Sequence, residues 1–124
     1  MADRALDRIH IRDLRTRCIV GINPDERRSK QDVVIDLTLH ADLRRAGQSD
    51  DLNDTVDYKQ VKKDVLAMVE ASSYLLLERL AERIAEVCLA HDGVERVRVA
   101  VDKPGALRFA RSVAVEIFRA GGPA

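Results

Sequence analysis

The sequence predicts an α+β fold in which a four-stranded antiparallel sheet carries two helices on one face. Four segments alternate apolar and polar residues with the two-residue period of a strand, and two segments between them repeat apolar residues every three or four positions. The chain has 124 residues, 46% of them hydrophobic, which suits a single domain over residues 1–124 with one core. We expect residues 1–6 and 120–124 to be flexible ends of that domain.

The first two strands are predicted on either side of a polar loop. From Arg8 to Ile22 the pattern predicts an extended strand that a bulge can interrupt near Asp13. Residues 23–30 open with an Asn-Pro turn signal and lack any apolar period, so we expect a loop. The second strand is predicted from Val33 to Leu43, because its apolar residues share one parity and its polar residues share the other. One face of this strand is therefore expected to be buried.

Two helices and two further strands complete the predicted order ββααββ. Residues 44–57 are rich in Gly, Ser, Asn and Asp and predict a connection with room for one short helical turn. Apolar residues at helical spacing predict one helix over 61–69 and a longer one from Leu77 to near His91. Gly93 is a stop signal, and alternation resumes over 96–102 and 112–117. Such a sheet has two open edges, which a homo-oligomeric ring would close through neighbouring subunits.

Composition excludes several classes of function. Lys plus Arg and Asp plus Glu are 21 each, so the formal net charge is zero and bulk attraction to nucleic acid or anionic membranes has no source. Aromatic residues make up only 3%, which argues against platforms that stack single-stranded bases. Cys18 and Cys88 lie far apart in no metal or redox motif, and the N terminus has no apolar run. We therefore expect a cytoplasmic protein without nucleic-acid or membrane partners.

Four residues are candidates for chemistry, each with a plain structural alternative. Lys103 shares the parity of Val101, so its amine points to the apolar side, where it would suit proton transfer, if the alternation persists. If the strand ends one residue earlier, Lys103 extends into solvent, and parity alone favours that alternative. Glu78 begins an acidic column on the second helix, by default a solvated face. Tyr58 at the entry to the first helix can serve a site or simply pack, and Glu26 alone is an exposed loop acid.

Histidines and arginines supply weaker candidates. His10 and His40 fall on the polar parity of strands that can be adjacent, but a metal site there lacks a third ligand, so ordinary surface roles are favoured. Basic residues in the first loop and after Lys103 would contact phosphate if the two loops converge, and otherwise form a solvated surface: Arg27, Arg28, Lys30, Arg108 and Arg111.

Four stretches together resemble the dihydroneopterin aldolase family of folate biosynthesis: RCIVGINPDERRSKQDVVIDLTLHADL, DTVDYKQV, LLLERLAERIAE and VDKPGALRFARSVAVEI. The resemblance covers Arg8 to Arg119, and its weight lies in the order and spacing of the motifs. It implies the tunnelling fold (T-fold), whose subunits form a tetrameric β-barrel ring, often stacked in pairs as an octamer, with pterin sites between adjacent subunits. It also implies an enzyme that needs neither metal nor cofactor.

The resemblance assigns pterin binding to one group of residues. Glu78 matches the helix glutamate that anchors the pterin amino group and ring N–H, assisted by the backbone at Leu77 and at Val56 of the neighbouring subunit. Asp57 stands where some relatives have histidine, and Ala71 stands where many have glycine. A planar ring with a donor–donor edge suits a bidentate carboxylate.

The resemblance also implies a reaction and the residues that carry it. Similar enzymes are lyases that cleave dihydroneopterin by a retro-aldol step into hydroxymethyl-dihydropterin and glycolaldehyde. Lys103 matches their general acid/base lysine, Tyr58 matches a tyrosine from the adjacent subunit that assists proton transfer, and Glu26 matches the loop glutamate near the substrate side chain. Because the ring C=N of the substrate accepts the released electrons, Lys103 need not form a Schiff base.

A close paralogue in the same family is similar enough to be an alternative. The epimerase of dihydroneopterin triphosphate would use the same residues, since cleavage followed by re-addition on the other face inverts the side chain. Pro104 and Gly105 look like the aldolase, whereas the GINPDE loop, RSKQDVVI and ALRFARSV also resemble the epimerase. We expect the aldolase, with epimerisation as a side activity, and a non-catalytic pterin-binding ring as a third alternative.

Overall fold

The computed structural model describes residues 5–121. Its strands are β1 (Asp7–Cys18), β2 (Gln31–Ala41), β3 (Arg96–Pro104) and β4 (Ser112–Ala120). Its helices are α1 (Arg44–Ser49), α2 (Tyr58–Glu70) and α3 (Leu77–Leu89), and a short 3₁₀ turn covers Leu52–Asp54. The strands form one antiparallel sheet in the order β1-β2-β3-β4. The predicted four-stranded sheet with two main helices is confirmed.

Several predicted boundaries differ from the structure. β1 ends at Cys18 rather than Ile22, because the Val20 N–H leaves the ladder and donates to the side-chain Oε1 of Gln31 at 3.2 Å. β2 begins and ends two residues earlier than predicted. The polar connection holds α1 as well as the 3₁₀ turn, where one helical turn was expected. α3 ends at Leu89 and is as long as α2.

The bulge that the sequence allowed in β1 lies between Ile11 and Leu14. Asp13 adopts a left-handed conformation there, with φ of 55°. Its N–H donates to Oδ1 of Asp36 on β2 at 2.9 Å, which holds the irregular segment against the sheet. The bulge adds one residue to β1, so the inward-facing positions change from odd to even numbers, and Thr16 and Cys18 face the core beyond it.

The core lies between one face of the sheet and the two long helices. The inward residues of β2 and β3 are buried, as the alternation predicted: Val33, Ile35, Leu37, Leu39, Val97, Val99 and Val101. α2 contributes valines at helical spacing, and α3 contributes a broader apolar stripe that includes Leu80 and Ile84. Cys18 and Cys88 are both free and buried, and burial raises the pKa of the Cys88 thiol to about 12. Within residues 5–121, the opposite face of the sheet carries no helix.

The C-terminal end of the described chain is held by the sheet. Ala120 pairs with Arg96, and the Gly121 N–H donates to the Glu95 carbonyl at 2.9 Å, so these residues are held by the sheet rather than frayed as expected. Residues 1–4 and 122–124, also predicted to be flexible, lie outside the described residues. Within residues 5–121, every helix is too short or too polar to cross a membrane.

Candidate active site

Lys103 is a buried amine at the end of β3. The strand continues through it to Pro104, so Lys103 keeps the inward parity of Val101 and is only 7% exposed. Its Nζ donates to the Val20 carbonyl at 2.9 Å and forms an ion pair with the carboxylate of Glu26. The alternative that Lys103 extends into solvent is therefore wrong. An ammonium group has three N–H donors, and partners within residues 5–121 occupy two of them.

Glu26 reaches Lys103 from the loop between β1 and β2. Besides the ion pair, its Oε1 accepts the Asn23 N–H at 3.1 Å. These hydrogen bonds, that from Lys103 first, lower the pKa of the Glu26 carboxyl from its ordinary value. The carboxylate packs directly over Gly21, whose φ of 135° favours glycine and where a side chain would overlap Glu26. The loop is therefore shaped to present this carboxylate.

Arg27 ties the Glu26 loop to the segment between α2 and α3. Its guanidinium donates to the carbonyls of Gly21 at 3.1 Å, Tyr74 at 3.0 Å and Ser73 at 2.6 Å. The Gly21 N–H adds a bond to the Tyr74 carbonyl at 3.3 Å. Arg27, a candidate phosphate ligand in the sequence, thus uses its guanidinium to bind backbone carbonyls. Arg28 forms an ion pair with Asp25 at 3.6 Å. No local pattern in the sequence indicates these contacts, which join residues 46 and 47 positions apart.

Gln31 supports the same loop from the start of β2. Its Nε2 donates to the Glu26 carbonyl at 3.1 Å, and its Oε1 accepts the Val20 N–H. The two backbone groups it contacts belong to the residues that hold Lys103 from either side. Gln31 was not among the predicted site residues, since an isolated glutamine at a strand start carries no distinctive signal.

Glu78 lies in the first turn of α3, directly after the segment that Arg27 holds. It is exposed, and no side chain or backbone group within residues 5–121 binds its carboxylate. The N-terminal turn of a helix favours a negative charge. Leu77 begins the helix and packs partly against the core, which fixes the position of Glu78. Glu78 is thus an unpaired carboxylate on a fixed element.

Val56, Asp57 and Tyr58 lie at the other end of the sheet. Val56 is buried beside Gly93, and the Asp57 side chain caps α2 by accepting the Gln60 N–H at 3.1 Å. Tyr58 is 53% exposed and borders a cavity of about 440 Å³ together with Leu52 and Lys63.

A single chain does not bring Tyr58 and Lys103 together. Val56 packs near the start of β3, whereas Lys103 lies seven residues beyond Arg96 on the same strand, a separation of about 23 Å at the rise of a strand. The predicted site residues therefore form two groups. Lys103, Glu26, Leu77 and Glu78 belong to elements joined by Arg27, and Val56, Asp57 and Tyr58 form the second group.

The remaining candidates have structural contacts. His10 Nδ1 lies 3.1 Å from Thr38 Oγ1, and no group of three potential metal ligands occurs in the part of the chain described. Arg108 stacks on Phe109 with its guanidinium carbon 5.5 Å from the ring centroid.

Comparison with known sequences identifies related proteins along nearly the whole chain. A family model described as FolB, dihydroneopterin aldolase, matches residues 9–118. The chain is 46% identical to a dihydroneopterin aldolase of Streptomyces coelicolor over 82% of this chain and 85% of that protein. It is 36% identical to a dihydroneopterin triphosphate 2'-epimerase of Escherichia coli K12 over 88% of this chain and 91% of that protein.

Longer proteins and solved structures match as well. The chain is 40% identical to the folic acid synthesis protein FOL1 of Dictyostelium discoideum over 92% of this chain, but it spans only 17% of that protein. Among solved structures, an Escherichia coli dihydroneopterin aldolase in complex with neopterin superposes with a TM-score of 0.87. The two chains are 34% identical, and the match covers 92% of this chain and 99% of that one.

Proposed function

The chain belongs to the dihydroneopterin aldolase family, and on that premise we propose that it cleaves dihydroneopterin by a retro-aldol reaction. The products are hydroxymethyl-dihydropterin and glycolaldehyde, so the reaction is that of a carbon–carbon lyase in folate synthesis. The observation that carries the proposal is the buried Lys103 amine and its ion pair with Glu26, in the loop that Arg27 holds against the segment between α2 and α3. The family resemblance of Lys103 to the general acid/base lysine supports the same role.

The Lys103 geometry suits proton transfer in this reaction. A base removes the proton of the side-chain hydroxyl, the adjacent carbon–carbon bond breaks, and its electrons enter the ring C=N of the dihydropterin. The enamine-like carbon then takes a proton, and Lys103 and Tyr58 are the proposed carriers for both proton transfers. Lys103 has one N–H direction left after its contacts with Val20 and Glu26, and this N–H would face the substrate side chain or a bridging water. Glu26 holds the amine in place, because its lowered pKa keeps the carboxylate ionised.

Glu78 is the proposed anchor for the pterin ring. Its carboxylate is exposed and lacks a partner within residues 5–121, and it lies in a helix turn packed against the core. Two carboxylate oxygens match the amino group and ring N–H of a pterin edge, which gives a bidentate and charge-assisted contact. The Leu77 backbone would add a further hydrogen bond.

We further propose that a second copy of the chain completes the site. Val56, Asp57 and Tyr58 lie near the start of β3, and Lys103 lies about 23 Å from Arg96 along that strand, too far for both groups to act on one substrate within one chain. Both edge strands, β1 and β4, have unpaired backbone along one side. A ring of four copies, or two such rings stacked as an octamer, would pair these edges and bring Tyr58 of one copy to Lys103 of the next.

Product analysis tests the activity. Purified protein is incubated with dihydroneopterin, and the pterins are oxidised and resolved by fluorescence chromatography. We expect hydroxymethyl-pterin from the wild type and a loss of turnover of about 10²- to 10⁴-fold in Lys103→Met. Lys62→Met, on the exposed side of α2, is the matched control and should retain full turnover. Unchanged turnover in Lys103→Met would refute the proton-transfer role.

Subunit mixing tests the shared site. Lys103→Met and Tyr58→Ala are each expected to be nearly inactive alone. When the two are unfolded together and refolded at equal amounts, about a quarter of the sites should combine an intact Lys103 with an intact Tyr58. Recovery of activity on mixing supports a site between copies. Mixtures no more active than the separate variants, although both variants exchange subunits, would contradict it.

The epimerase is the second candidate, favoured by the 36% identity to the Escherichia coli enzyme over most of both chains. It would share the cleavage step and add recombination on the other face of the intermediate. The same assay with dihydroneopterin triphosphate distinguishes the two, because an epimerase returns the inverted triphosphate without hydroxymethyl-pterin. A ring that binds pterin without turnover of either substrate is the third alternative.

A further inference from the structure

The open face of the sheet, opposite the helices, carries a concentration of basic side chains at one end. In the strand register, Arg8, His40 and Arg96 stand directly opposite one another on β1, β2 and β3. The next row inward combines His10, Thr38, Arg98 and Phe118 across all four strands. With Arg12, these residues are called the basic face. All of them except Arg96 line a cavity of about 400 Å³ to which no carboxylate within residues 5–121 contributes.

The positive charges of the basic face are only partly neutralised. Arg98 forms an ion pair with Glu116. Within the described part of the chain, no carboxylate contacts Arg8, Arg12 or Arg96. The zero net charge of the whole chain therefore conceals an uneven distribution along this face.

This arrangement is unfavourable for the isolated sheet. Positive charges held near one another on one face repel, and Arg8 and Arg96 lie two strands apart on either side of His40. Burial lowers the pKa of His40, and the nearby charges of Arg8, Arg96 and His10 lower it further. Within residues 5–121, Arg8, Arg12 and Arg96 thus carry positive charges that no contacting carboxylate neutralises.

We propose that the basic face binds a polyphosphate chain. Guanidinium groups bind phosphate oxygens through paired N–H donors. The arginines of β1 and β3 lie two strands apart, about 10 Å at the strand spacing, and their long side chains can converge on successive phosphates of one chain. Phe118 is 62% exposed at the end of the second row, where its ring can stack on a base if the chain belongs to a nucleotide. The site is separate from the proposed active site, because Lys103 points to the opposite, buried face of the sheet.

Calorimetric titration of the full chain at low salt tests this site. One arm uses inorganic triphosphate and the other a purine nucleoside triphosphate. We expect saturable binding that weakens as salt is added, and the double variant Arg8→Gln, Arg12→Gln should weaken it by about tenfold or more. Arg15→Gln, on the same strand and sheet face beyond the bulge, is the matched control and should bind like the wild type. All three replaced arginines are exposed, so the variants should fold.

The outcomes separate the ligand sources and can overturn the proposal. Tighter binding of the nucleotide, lost in Phe118→Ala, identifies a nucleotide site, whereas equal affinity for both ligands identifies a site for the phosphate chain alone. No saturable binding of either ligand at millimolar concentration refutes the proposal. Equal weakening by Arg15→Gln also refutes it, because it would indicate diffuse attraction. Turnover of dihydroneopterin should be unchanged in the double variant, so failure of the aldolase proposal is judged separately.

Discussion

Replacing Gly21 with alanine tests whether the loop must hold Glu26 against Lys103. Gly21 has a φ of 135°, and an added methyl carbon would lie 2.6 Å from Glu26 Oε2. The backbone strain should lower the free energy of unfolding by about 1–3 kcal/mol. Because the carboxylate lies at the end of a side chain, it can rotate away from the methyl group, but it then leaves Lys103. We therefore expect turnover of dihydroneopterin to fall by about 10²-fold or more, since the amine loses its positioning.

Gly105→Ala is the matched control for that variant. Gly105 also has a positive φ, of 70°, but an added methyl group would meet no atom within 4 Å. It should lower the free energy of unfolding by about 1–2 kcal/mol through the backbone alone. Urea unfolding measures both stabilities, and chromatography of the pterin products measures both turnovers. Wild-type turnover in Gly21→Ala, or an equal loss in Gly105→Ala, would refute the reasoning.

Three further predictions concern the loop and the proposed anchor. Glu78→Gln should weaken neopterin binding by about 100-fold or more in a calorimetric titration, because the pterin donors lose a charged bidentate acceptor; an affinity within a few-fold of wild type would contradict the anchor role. The Glu26 carboxyl has a pKa lowered from 4.5 by Lys103, so its stabilisation is complete above pH 4.5 and is lost as pH falls through the lowered pKa. The difference in unfolding free energy between wild type and Glu26→Gln, measured in urea across pH, should shrink below pH 4.5; a constant difference would exclude this linkage. Arg27→Met should lower the free energy of unfolding in urea by about 1–3 kcal/mol, because part-buried carbonyls lose their donors. The control Arg28→Met should lower it by less than about 1 kcal/mol. Equal losses would contradict the role of Arg27 in holding the Glu26 loop.

Strands and helices with one buried face could be predicted from the sequence, because their apolar residues repeat with the period of the element. β2 alternates apolar and polar residues from Ile35 to Ala41, because one of its faces packs on the helices and the other is open. The same parity, extended by one residue beyond Asp102, places Lys103 on the buried face. Parity alone favours the alternative in which Lys103 extends into solvent, because parity does not reveal the hydrogen-bond partners that compensate for burying an amine. Those partners are Val20 and Glu26, 83 and 77 residues away in the chain.

The contacts that shape the loop could not be predicted for the same reason. The arginine-rich loop suggested phosphate binding, but Arg27 instead saturates carbonyls of a distant turn. Glu26 was an ordinary exposed acid until the family resemblance suggested a role. A loop residue acquires its function from the elements that fold against it, and local periodicity records only which face an element buries. Hydrogen bonds between a loop and a distant segment produce no periodic pattern in the sequence.

The division of the proposed site between two copies connects three features of the single chain. Tyr58 is a half-exposed aromatic residue, Glu78 is an exposed carboxylate without a partner in residues 5–121, and the edges of β1 and β4 are open. The open edges and the exposed aromatic ring are liabilities for an isolated protein, because open edges promote uncontrolled pairing and exposed aromatic surface promotes association. A closed ring would remove the edges through the same contacts that assemble the catalytic groups. Turnover would then depend on assembly, so dilution below the dissociation constant of the ring should abolish activity even while each chain stays folded.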